Sequence, residues 1–251
     1  MARKIVITSG KGGVGKTTIA ACLGKRLSKA GKKTLVLDLD SSLNNLDVVL
    51  GVEDKINYYV EDAVSGKCRA KQALVRCDDN LYIMQSARFD SGYAGGQSVR
   101  LLTEGLNDRF DFVFFDCPAG VDASFHRAVS CADEAIVVLN CYPSSIRDAD
   151  KVVNLLKGYR LKSVTAVANR FRRDLLSKGK SISIEECEEI LKSPIIGAIS
   201  ESDAVLCSEG GVLPIFSSSA AEIAKLAKRI VKEDYSSAVS SDIGKSRRKA
   251  V

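Results

Sequence analysis

The segment Gly10-Lys11-Gly12-Gly13-Val14-Gly15-Lys16-Thr17 constrains the fold more than any other stretch of this chain. It has the spacing G-x-x-x-x-G-K-[ST], follows directly on the apolar run Ile5-Val6-Ile7, and is followed at once by a helical pattern. Strand, glycine-rich turn and helix in that order make a phosphate cradle. The glycines let backbone N–H groups close around an anion, and the helix N-terminus adds its positive end. In such a loop Lys16 reaches the β- and γ-phosphates, the Thr17 hydroxyl ligates Mg²⁺, and Thr18 continues the first helical turn.

Further short apolar runs recur at 35–37, 81–83, 112–115, 135–139, 164–168 and 195–199. They do not alternate with polar residues, as expected of strands buried on both faces of a parallel sheet. Helical patterns separate them at about 17–30, 96–108, 145–157, 184–191 and 218–233. The layout predicts an α/β fold: a doubly wound, mostly parallel sheet flanked by helices. In the last helix Ile223, Leu226, Ala227, Ile230 and Val231 form one apolar stripe, which predicts packing on the sheet. One domain is expected over 1–234, followed at 235–251 by a small, polar, basic tail that is disordered when free.

Charge and cysteine use narrow the class. The formal net charge is +6, and half of it falls in residues 236–251, which carry Lys245, Arg247, Arg248 and Lys249 against Asp242. The eight cysteines form no C-x-x-C pair, and with a single histidine there is no Cys/His zinc set. Reduced, mostly buried thiols are expected. No run approaches the roughly 18 apolar residues of a membrane span. A cytoplasmic protein is expected.

Lys11 is the departure from an ordinary phosphate loop, because it cannot easily reach its own γ-phosphate alongside Lys16. Lys11 to Thr17 resembles the deviant Walker A motif of the MinD/ParA family of P-loop ATPases. The resemblance implies ATP as the nucleotide, hydrolysed to ADP and phosphate with Mg²⁺. It implies a homodimer formed with ATP, in which Lys11 crosses the interface as a cationic finger in trans. Asp38 to Asp47 resembles the family's first switch region, and Phe114 to Gly120 its second switch and Walker B element. Asp116, at a strand's C-terminal end, would then hold the metal, with Asp38 behind it. By the same resemblance Asp40 orients or deprotonates the attacking water and Asn45 helps hold that water. Asn169, in an Asn-Arg pair, would read the adenine edge, and Pro214, in Gly210 to Pro214, would close over the base.

The MinD branch is the closer resemblance, carried also by Ala132 to Ile136 and by Ser144-Ser145-Ile146-Arg147-Asp148-Ala149-Asp150. It implies division-site placement, with Asp148 contacting a MinC-like division inhibitor and a further protein activating hydrolysis. The tail departs from that branch, which ends in an amphipathic helix: Ile243 and Val251 supply little apolar area here. Its four cations would hold the inner face of the cell membrane only electrostatically. A second basic run, Lys157, Arg160, Lys162, Arg170, Arg172, Arg173, Lys178 and Lys180, supports a rival reading as a ParA-like partition ATPase bound to DNA phosphates. A flagellar-number regulator and an inactive nucleotide-gated scaffold are the remaining alternatives.

Overall fold

Every apolar run becomes a strand in the computed structural model, which describes residues 1–41, 45–87, 95–202 and 218–235. The strands are β1 (Arg3–Thr8), β2 (Thr34–Asp38), β4 (Leu81–Gln85), β5 (Phe112–Asp116), β6 (Glu134–Leu139), β7 (Ser163–Phe171) and β8 (Ile195–Ser200), with a two-residue β3 (Val75–Arg76) that the sequence pattern did not predict. They form one sheet in the order β3-β4-β2-β5-β1-β6-β7-β8. All neighbours pair in parallel except the short β3, which runs antiparallel to β4 at the edge.

Successive residues of the central strands point into two separate cores. Val6, Leu35, Leu37, Val113, Phe115, Val137 and Leu139 face one, and Ile5, Ile7, Val36, Phe112, Phe114, Ile136 and Val138 face the other. Both sides are apolar, which is why the strands read as continuous runs and not as alternation. Fully burying one of these large side chains is worth about 1.5–3 kcal/mol.

Helices α1 (Lys16–Lys29), α2 (Leu46–Leu50) and α9 (Ser218–Lys232) cover the second core. On the other face lie α3 (Val60–Val64), α4 (Gly96–Glu104), α5 (Ala123–Ser130), α6 (Pro143–Leu156) and α8 (Ile184–Leu191), with α7 (Arg173–Ser177) beside them. The helix expected over 96–108 ends at Glu104, and a short 3₁₀ turn, Asn107–Arg109, completes the connection. Helices α2, α3 and α7 are five residues each, too short to leave a periodicity in the sequence. Among the described residues no helix is long and apolar enough to cross a membrane.

Ile223, Leu226, Ala227 and Ile230 of α9 are buried, while Val231 at the end of the expected stripe is largely exposed. The helix is latched at the strands' N-terminal edge. Arg3 pairs with Glu134 through both carboxylate oxygens (2.7 and 2.8 Å) and donates to the Ile230 carbonyl, and the Tyr235 hydroxyl donates to Glu134 (2.6 Å). The opposite, C-terminal edge carries the candidate site. There β1 lies between β5 and β6; α1 leaves it on one face, and α5 and α6 pack on the other, so a crevice opens above β1.

Candidate functional site

The loop between β1 and α1 has the geometry of an anion cradle. Gly15 is the N-cap of α1 with φ 96°, and no acid stands in the helix's first turn. With no capping side chain and no competing carboxylate, the first N–H groups of α1 point toward the crevice. Val14 is buried and anchors the loop, whereas Gly12, Gly13 and Lys11 at its tip are exposed. Lys16 is only 8% exposed. The two lysines therefore differ in kind: Lys16 is packed within its own loop, and Lys11 projects from it. Thr17 and Thr18 are half-buried beside Lys16.

Two acids stand side by side at the strand ends. Asp38 and Asp116 are register partners across β2 and β5, and Asp116 also pairs with Ile7 of β1. The Asp38 carboxylate is tied down, its Oδ1 accepting the Asp40 N–H (2.9 Å) and its Oδ2 the Leu46 N–H (3.3 Å). Asp38 thus pins both ends of the segment between them. Both oxygens of Asp116 are buried with no well-formed hydrogen-bond partner. Burial and the neighbouring Asp116 push the Asp38 carboxyl well above the usual carboxylate range, against its two N–H contacts. Burial likewise raises Asp116, opposed by the nearby Thr17 hydroxyl and Lys16 ammonium and reinforced by Asp40.

Two buried acids with two orphaned oxygens fit a hard divalent cation. Among the described residues no three acidic, Cys or His side chains converge. That suits Mg²⁺, which is commonly held through one or two carboxylates, waters and phosphate oxygens and not by an all-protein cage. The Gln85 Oε1, on the β4 residue paired with Asp38, is also buried without a partner; nothing in the sequence singled it out.

Asp40 is half-buried, close enough to Asp116 to affect its ionisation. Asn45 takes the N-cap position of α2 with an exposed side chain that makes no cap hydrogen bond. Residues 42–44 of the expected first switch lie outside the described residues, as do Gly210 to Pro214 and the tail from 236 onward.

Asn169 stands at the end of β7, 8% exposed. Its amide nitrogen donates to the Val14 carbonyl (2.8 Å) and occupies the space a Gly15 side chain would fill, 2.3 Å from an ideal Cβ there. Holding the phosphate loop is thus its visible contact. Arg170 follows with φ 52°, a backbone conformation rare for a side chain of that size, where the β7–β8 pairing shifts register. Asn169 and Arg170 line a pocket with Gly15, Thr18, Ile199 and Ile223.

Asp148 lies in the second turn of α6, half-buried, with Lys151 3.2 Å away. Its backbone packs directly on Gly10, so that helix and phosphate loop touch.

The second basic run does not form one stripe. Lys157, Arg160 and Lys162 precede β7, Arg170 lies near its C-terminal end and Arg172 and Arg173 follow it, so the strand holds the two groups at opposite ends, roughly 25 Å apart at about 3.3 Å per residue. Arg172 is also occupied by Asp174 (2.7 Å) and faces Glu201 at 3.9 Å. The run thus presents two separate groups of cations and not one continuous track. The seven described cysteines are free thiols, six of them buried; Cys207 lies outside the described residues.

The profile of the CobQ/CobB/MinD/ParA nucleotide binding domain matches residues 5–214. The septum site-determining protein MinD of Bacillus subtilis (strain 168) is 40% identical over 220 residues, 86% of this chain and 82% of that protein. A chain of the MinC:MinD cell division protein complex from Aquifex aeolicus superposes with TM-score 0.82 at 35% identity, covering 93% of this chain and 97% of that one. The septum site-determining protein MinD of Pyrococcus horikoshii, complexed with Mg-ADP, gives TM-score 0.80 at 29% identity, covering 93% and 97%.

Proposed function

The chain belongs to the CobQ/CobB/MinD/ParA family of nucleotide-binding domains, and within it to the septum site-determining MinD proteins, and on that premise we propose an ATP-driven dimerising switch of division-site placement. It is an ATPase. The observation that carries the switch reading is the sorting of the loop lysines, Lys16 buried within its own loop and Lys11 exposed at the tip.

Lys16 and the N–H groups of Gly12 to Thr18 bind the phosphates of ATP. Lys11 is free to deliver its charge to the phosphates of a second copy, neutralising them as a finger in trans does. Asp116 and the Thr17 hydroxyl would hold Mg²⁺, which would supply charge neutralisation at the phosphates. Asp38 fixes the positions of Asp40 and Leu46, so that Asp40 orients the attacking water and accepts its proton while Asn45 helps hold it. Asn169 braces the loop and offers its amide oxygen to the adenine amino group, with Pro214 closing over the base.

Asp148 on α6 is the contact for a MinC-like inhibitor, in line with the MinC:MinD complex among the similar structures. A separate protein activates hydrolysis. The tail supplies an electrostatic contact to the inner face of the membrane. Size-exclusion chromatography with ATP and with ADP, followed by phosphate release with anionic liposomes or duplex DNA, tests this reading. Dimers with ATP and turnover raised by liposomes support it; turnover raised by DNA alone replaces it with a partition ATPase, and binding without turnover with a scaffold.

A further inference from the structure

We propose that Asn140 and Ser145 are positioning residues that couple the phosphate loop to α6, so that the state of the bound nucleotide is expressed on the exposed face of that helix. The inference rests on the switch reading above.

The Val14 carbonyl of the phosphate loop accepts from Asn169 Nδ2 (2.8 Å). The Asn169 carbonyl accepts from Asn140 Nδ2 (2.9 Å), and the Asn140 backbone N–H donates to Ser145 Oγ (3.0 Å) in the first turn of α6. Three residues further along, the Asp148 backbone closes on Gly10, at the other end of the same loop. The loop and α6 thus form a closed ring, joined at Val14 through three hydrogen bonds and at Gly10 through direct contact.

The links are built and not incidental. The β6–β7 ladder ends at Leu139 and Ala168, so Asn140 to Asn169 is the next rung, made by a side chain where the regular pairing has stopped. The N-cap residue of α6, Tyr142, makes no cap hydrogen bond, and Ser145, 5% exposed, is turned inward to take the Asn140 N–H instead. Both asparagine contacts lie in partly or wholly buried surroundings, where an unmet partner is costly. A ring held at both ends transmits displacement: when the loop moves to accommodate a different phosphate load, either a bond in the relay breaks or α6 shifts. On the outer side of α6 the exposed Ser144, Arg147 and Lys151 and the half-buried Asp148 would report that shift.

The test is hydrogen exchange of the α6 amides, 143–156, in the full chain with Mg²⁺ and either ADP or a non-hydrolysable ATP analogue, for the parent, Asn140→Ala, Asn140→Asp, Ser145→Ala and Ser145→Thr. Asn140→Asp keeps the shape but loses the donor, and Ser145→Thr keeps the hydroxyl. In the parent, α6 exchange should differ between the two nucleotides by about fivefold or more, the lower range of coupling between sites. The three variants lacking a relay contact should lose that difference while still binding both nucleotides, and Ser145→Thr should keep it. A purely structural role would instead speed exchange equally in both states. Retention of the parental difference in every variant that folds, or its absence in a parent that binds both nucleotides, overturns the coupling and leaves the ATPase reading standing. A parent that binds neither nucleotide overturns both.

Discussion

A Cβ on Gly10 would lie 2.3 Å from the Asp148 carbonyl oxygen, 2.4 Å from its carbonyl carbon and 2.8 Å from its Cβ. Backbone atoms of a packed helix cannot swing aside as a flexible side chain would. Gly10 thus serves the helix as well as the phosphates, since only a residue without a side chain lets α6 rest on the loop.

Gly10→Ala should therefore push α6 off the loop. Overpacking of this kind costs about 1–3 kcal/mol. Urea unfolding without nucleotide should show the loss, and binding of a MinC-like partner should weaken in parallel. Parental stability together with parental partner binding would mean that the helix rides freely over the loop.

The lysines should separate by function. Lys16→Ala removes a buried cation and should abolish ATP binding by the monomer. Lys11→Ala should leave monomeric affinity within about threefold, since an exposed charge contributes little, yet eliminate the ATP-dependent dimer and turnover. Equilibrium binding of fluorescent ATP and light scattering on both variants check this, and an ATP-dependent dimer of Lys11→Ala would remove the contact in trans.

The acids should separate as well. Asp40→Ala should lower turnover by about 10²–10⁴ if the carboxylate acts on the water, while ATP binding and dimerisation persist. Asp116→Asn replaces a buried acid beside Asp38, whose ionisation burial opposes, with a neutral group, so thermal stability without ligands should rise. The same change should erase the increment in stability that Mg²⁺ adds to nucleotide-bound protein. Calorimetry of the parent and Asp116→Asn with and without Mg²⁺ reads both effects; an unchanged Mg²⁺ increment would move the metal elsewhere.

At the other edge of the sheet, Glu134 gives a pH dependence. Burial would raise this carboxyl, but hydrogen bonds from Arg3 and Tyr235 prevail and hold it below its usual value. A carboxylate depressed in the folded state stabilises fully above its unfolded pKa, about 4.3, and that contribution disappears as pH falls through the lower folded value. Urea midpoints should therefore fall on acidification from about pH 5 to pH 3, and Glu134→Gln should be less stable than the parent at pH 7 with a shallower acid slope. Identical slopes would mean that the latch with Arg3 and Tyr235 carries no net stabilisation.

For the basic tail, removal of residues 236–251 should abolish binding to anionic liposomes while leaving ATP hydrolysis without lipid intact. Binding of the full chain should weaken steeply with salt, and the ATP form should bind more tightly than the ADP form because a dimer presents two tails. Binding that resists high salt would indicate insertion of apolar area instead, and binding that survives truncation would place the contact on the body.

Much of this is legible in the sequence alone. The strands were visible because burial on both faces leaves unbroken apolar runs, as in Phe112 to Phe115, and the phosphate loop because its spacing is set by the size of a phosphate. What periodicity could not show was β3 and the short helices α2, α3 and α7, which span fewer residues than a period needs to declare itself. The basic run at 157–180 was misleading for a related reason. Neighbours in sequence are separated in space when an extended strand runs between them.

The sequence by itself determined the local chemistry: a glycine-rich loop ahead of a helix, acids at strand ends, a Ser-Ser start to the helix that carries Asp148. Those properties depend on residues a few positions apart, and local geometry preserves them. Only the tertiary structure decided which lysine is enclosed and which projects, that Asp38 is spent on the N–H groups of Asp40 and Leu46 while Asp116 keeps both oxygens orphaned, and that Asn169 grips Val14 from 155 positions away. Parallel strands joined by crossover helices bring such distant segments to one edge of the sheet, and side chains meet there by register, a quantity that exists only once the strands are paired.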